Sequence, residues 1–73
     1  MNRTLRNGAE ILAIDFVAQV VLAKVNKGIA NDVEYITWQF NTGIDGLETF
    51  WGHYFLNDYP NAKADFLVRS AGV

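Results

Sequence analysis

The sequence predicts an α+β fold in the order helix, strand, strand, helix (αββα), with both helices on one face of an antiparallel hairpin. Three observations predict it. An apolar stretch over 9–27 has helix-start and helix-stop residues at its ends. Two aromatic, β-branched runs over 33–40 and 49–56 flank a glycine-containing segment, and a proline-led segment after residue 57 carries apolar residues at helical spacing. The 73 residues, 1–73, make one small domain.

The first element reads AEILAIDFVAQVVLAKVNK. Asn7 can cap it, Glu10 lies in the first turn, Lys24 and Lys27 lie in the last, and Gly28 follows as a stop. On a wheel at about 100° per residue, two polar stripes separate two apolar faces. Ile11, Ile14, Ala18, Val21 and Val25 form one face, and Leu12, Phe16, Val20 and Ala23 form the other. A surface helix needs only one apolar stripe. Either the rest of the chain wraps the second face or a sister subunit covers it, and the expectation is a homodimer.

The strands come next. VEYITWQF (33–40) favours a strand by residue type, although Val33, Ile36 and Phe40 also match helical spacing. The partner run TFWGHYFL (49–56) decides for a hairpin, with NTGIDGLE as its connection. Alternation places Ile36, Trp38, Phe40, Phe50, Tyr54 and Leu56 toward the helices, and Gly52 leaves room there for a ring such as that of Trp38. Tyr35, Thr37, Gln39, Trp51, His53 and Phe55 fall on the other, open face. The last helix is capped by Asn57 or Asp58, has Pro60 in its first turn, and ends before Gly72. Its apolar side is Ala62, Phe66, Leu67 and Val68.

Composition narrows the function. A domain this small buries only about 60% of the surface its unfolded chain exposes and is marginally stable. With no cysteine and one histidine, disulfides and ordinary zinc sites are excluded, and no metal or cofactor is expected. Net charge is −2, but residues 28–59 hold no lysine or arginine against Asp32, Glu34, Asp45, Glu48 and Asp58, a local charge of −5. That surplus disfavours contact with phosphate and hence direct nucleic-acid binding. The apolar run from Ile11 to Val25 is broken by Asp15, Gln19 and Lys24, whereas a membrane span takes about 20 apolar residues. Asp15 also disfavours a signal peptide. The expectation is a cytoplasmic protein with no membrane contact.

His53, the only histidine, stands among four aromatic rings in TFWGHYF (49–55). General-base work needs an orienting carboxylate and a nucleophile within reach. Ser70 is the only serine, no serine or cysteine motif surrounds His53, and the reading is a rim residue of a non-enzyme. Tyr35, Trp51, His53 and Phe55, with Asp45 and Glu48 beside them, form the candidate partner-binding set, aimed at a protein with a basic surface. The alternatives are a small-ligand or enzymatic domain using His53 in an aromatic pocket, or a structural assembly subunit.

YITWQF, WGHYF and NAKADFLVR together resemble an arrangement in short accessory proteins of bacteriophages and other mobile elements. There, a hairpin with a tryptophan and a GHYF-like strand runs into a helix carrying a DF pair. The matching positions are Trp38, Gly52, His53, Tyr54, Phe55, Asp65 and Phe66, over about the C-terminal half of the chain. The resemblance implies an accessory or anti-defence role; the acidic segment and the aromatic face together give the expected form of that role, an inhibitor that occludes a basic surface of a nucleic-acid-binding or defence enzyme. The resemblance assigns no chemistry.

Overall fold

A computed structural model describes residues 4–5, 8–28, 32–44 and 46–71. Asn7, Asp45 and Gly72, named above as a cap, a binding residue and a stop, lie outside the described residues. The fold is a four-stranded antiparallel meander in the order β1-β2-β3-β4, followed by one helix. The strands are β1 (Glu10–Asp15), β2 (Val20–Asn26), β3 (Val33–Gly43) and β4 (Gly46–Tyr54), and the helix is α1 (Tyr59–Ser70). The helix–hairpin–helix reading is therefore corrected at its first element, where a second hairpin stands in place of a helix.

The physical reason lies in the polar residues that looked like a stripe on the wheel. Asp15 closes a turn, its Oδ1 accepting from the backbone N–H of Val17 (2.9 Å) and Ala18 (3.0 Å). Gln19 then takes a left-handed conformation, φ 59°. Asx turns of this kind are what aspartate offers the backbone in competition with a helix. Glu10 and Lys24 become cross-strand partners, 3.6 Å apart in an ion pair. Gly28, expected as a helix stop, instead sits at φ 84° after β2.

β2 is an inner strand with both faces covered, which explains an apolar run that never settled into one stripe. Val20 and Leu22 pack with Ala62 and Phe66 of α1. Val21 and Ala23 point the other way, into a cluster of Ile36, Trp38 and Phe40 closed by Leu5 and Ala9 from the N-terminal segment. Fully burying side chains such as Phe40 and Leu22 contributes about 1.5–3 kcal/mol each. Both faces of β2 are thus covered within one chain, while Leu12 and Phe16 stay exposed. The two-faced helix, one of the two grounds for expecting a dimer, is not formed.

The sheet is also reversed relative to the sequence reading. Helix α1 lies on the face of Tyr35, Thr37, His53 and Phe55, while Ile36, Trp38 and Phe40 are buried on the opposite face. The helix chooses the mixed face because its own inner side is mixed. Ala62, Asp65, Phe66 and Arg69, at helical spacing, bring a carboxylate and a guanidinium over the buried Thr37. β3 and β4 run on into the expected eight-residue connection, so that Gly43 pairs with Gly46. Asp58 caps α1, accepting from the N–H of Asn61, with Pro60 in the first turn.

A β-bulge in β4 sets the register there. Thr37 pairs with His53 and Gln39 with Phe50, so Trp51 and Gly52 together stand opposite Trp38. An extra residue in one strand exchanges faces beyond it. Phe50, expected beside Tyr54, consequently shares the face of Gln39, and Thr49 pairs with Phe40.

Candidate functional site

Two features converge on the bulge in β4, which is an edge strand. The first is a polar cluster beneath α1. Thr37 is completely buried, and its hydroxyl donates to Asp65 Oδ2 at 2.6 Å. His53 Nδ1 lies 2.9 Å from the same oxygen, with the histidine side chain 54% exposed. Arg69 Nη1 donates to the Thr37 carbonyl (3.2 Å) and hydroxyl (3.0 Å), and Nη2 donates to the Trp51 carbonyl (2.8 Å). Arg69 also stands 3.9 Å from Asp65 Oδ2, one helical turn away on α1.

Burial alone would raise the Asp65 carboxyl above its ordinary value. Hydrogen bonds from Thr37 and His53, with the charges of His53 and Arg69, outweigh it and hold the pKa below that value. The carboxylate that orients His53 is thus Asp65 of the helix. Chemically the cluster is an oriented imidazole that shares its carboxylate with one hydroxyl, that of Thr37. The Thr37 hydroxyl gives its proton to Asp65 and accepts from Arg69, so it is engaged on both sides. Among the described residues, no group of three or more His, Cys, Asp or Glu side chains is placed to hold a metal ion.

The second feature is aromatic. Trp51 has φ 52°, a left-handed conformation that L side chains rarely adopt, and it is 73% exposed. Its ring meets Phe50 edge to face at 5.1 Å. Tyr54 and Leu56, also exposed, follow along the chain, Leu56 again with φ 52°. Tyr54 stacks edge to face on the buried Trp38, with ring centroids 6.3 Å apart.

The other expected binding residues scatter. Tyr35 and Phe55 are half-buried, packed against the cluster under α1, and Tyr35 pairs edge to face with Tyr59. Glu48 is exposed on β4, its side chain folded over Gly43. Of the acidic run, Glu34 pairs with Lys27 at 3.4 Å and Asp58 is used as a helix cap. The structure brings together Trp51 and His53, and it adds Thr37, Tyr54, Leu56, Asp65 and Arg69, which sequence reasoning did not place in the site. The Ala62–Asp65–Phe66–Arg69 spacing was the available signal, since it puts a carboxylate and a guanidinium on the packed side of a helix.

Comparison with protein-family models, curated proteins and solved structures returned no match, so the site is read from its own geometry. No helix among the described residues is long and apolar enough to cross a membrane.

Proposed function

We propose that the protein is a non-enzymatic binding module that grips another protein through the bulged edge of β4. Trp51 is the anchor, Tyr54 and Leu56 extend the apolar contact, and Glu48 on the same strand favours a basic rim on the partner. The observation that carries this reading is the state of Trp51. A large aromatic in the left-handed region costs about 1–2 kcal/mol, and this one is exposed rather than packed inward. Backbone strain of this sort concentrates at sites whose shape is used. Tryptophan and tyrosine are also the residues that most often dominate binding energy at protein interfaces.

Capture from native-host extract with the immobilised protein tests it, comparing the unsubstituted chain with Trp51→Ala and with Leu67→Ala. Leu67 is similarly exposed but lies on α1. The expected result is a protein retained by the unsubstituted chain and by Leu67→Ala, and lost with Trp51→Ala. Removing a central anchor costs about 2 kcal/mol or more, roughly thirtyfold in affinity. Retention that is indifferent to Trp51→Ala overturns the assignment.

A further inference from the structure

We infer that Arg69 is the positioning residue of the β4 bulge: by gripping the Trp51 carbonyl from α1, it sets the direction in which the Trp51 ring is presented. The inference deepens the binding reading above and rests on it for its biological consequence.

The geometry is that of a fork spanning two strands. One nitrogen of the guanidinium reaches β3, at the carbonyl and hydroxyl of Thr37, and the other reaches β4, at the carbonyl of Trp51. A planar, permanently charged group with fixed donor directions can hold two carbonyls in a set relation, which an ammonium cannot. The Arg69 side chain is only 13% exposed, so few other conformations are open to it. Asp65 holds the fork from behind and shares the same oxygen with Thr37 and His53.

On the other side of the bulge, Gly52 lies against the Trp38 ring. The Trp51 peptide is therefore held between a hydrogen bond from the helix and a packed indole. A β-bulge re-aims a side chain, and here the helix is what keeps it aimed. Docking of α1 and presentation of Trp51 are consequently one event. A change that lifts the helix releases the anchor.

The test needs no partner. The protein is labelled with fluorotryptophan, and fluorine NMR then shows one line for each of its two tryptophans. The Trp51 line is the one lost in Trp51→Phe, and it carries the larger shift between light and heavy water. In Arg69→Met, the Trp51 line is expected to move toward the position of free fluorotryptophan and to narrow. The Trp38 line stays in place, and the thermal melt remains cooperative. Arg69→Lys, able to reach only one carbonyl, is expected to give an intermediate position.

A Trp51 line that does not move in folded Arg69→Met or Arg69→Lys protein overturns the inference. Should neither variant fold, the unsubstituted protein decides through rotation of the Arg69 guanidinium about its Nε–Cζ bond. Slowed rotation relative to free arginine supports the clamp, and rotation as fast as in free arginine overturns it. Because capture and presentation are read separately, an unclamped Trp51 can still bind, and a clamped Trp51 can still fail to capture a partner.

Discussion

Gly52→Ala isolates the contact on which the bulge closes. A methyl group built at Gly52 would lie 2.6 Å from Trp38 Nε1, 2.8 Å from Trp38 Cδ1 and 3.0 Å from Tyr54 Cε1. The two nearest are atoms of a ring held in place. Trp38 is only 7% exposed, and its indole already meets Tyr54 at an interplanar angle of 87°. To make room, the indole must shift within a packed cluster or β4 must move away from β3. Overpacking of this kind costs about 1–3 kcal/mol, and weakening the aromatic pair adds about 0.5–1.5 kcal/mol. Replacing glycine by alanine returns about 0.4–1 kcal/mol through the unfolded chain.

With each contribution near the middle of its range, the net expectation is a loss of about 1.5–2.5 kcal/mol. For a domain of this size that corresponds to a fall of about 6–20 °C in Tm. Circular-dichroism melts measure it, and the same substitution made in a Trp38→Phe background shows where it comes from. A phenyl ring lacks the Nε1 edge that the methyl would strike, so Gly52→Ala should there cost at least about 1 kcal/mol less, a coupling typical of residues in contact. An equal cost in both backgrounds, or a cost below about 0.5 kcal/mol in the native background, would refute the packing assigned to the bulge.

Three further outcomes are expected. Trp38→Ala should lose about 3–5 kcal/mol in denaturant unfolding, as a buried tryptophan does, whereas Trp51→Gly should gain up to about 1 kcal/mol by removing left-handed strain. The pKa of Asp65 is lower in the folded protein than its ordinary value of 3.8, so its contribution to stability is complete above that pH and is lost as pH falls through the folded value. Asp65→Asn should accordingly flatten stability against pH on the acid side; an unchanged acid limb in urea titrations would show that Asp65 does not carry it.

The second half of the chain was legible because its signals are local. Aromatic and β-branched residues in two matched runs, and a capped, proline-led segment at helical spacing, each point to one element without help from the rest. The first half was not. Its apolar residues serve two faces of a sheet, and a run buried on both sides has no period to read. The bulge had one local signal, Gly52, since a glycine inside a strand often marks a bulge or a close approach; the sequence reading took it as a close approach alone.

By itself, the sequence determined what the chain is made to bury and what it lacks. It holds no cysteine, a single histidine, and an aromatic segment around Gly52 in which a ring needed space. Tertiary structure decided which side of each strand meets the helix, and therefore which aromatic residues stay outside. Alternation specifies two faces but does not say which one the helix will choose; that choice rests on Asp65 and Arg69 meeting the buried Thr37 across 28 and 32 residues of chain. Trp51 is exposed for the same reason. Its outward turn comes from a register shift between two strands and a hydrogen bond from a helix, and both exist only once the elements have packed together.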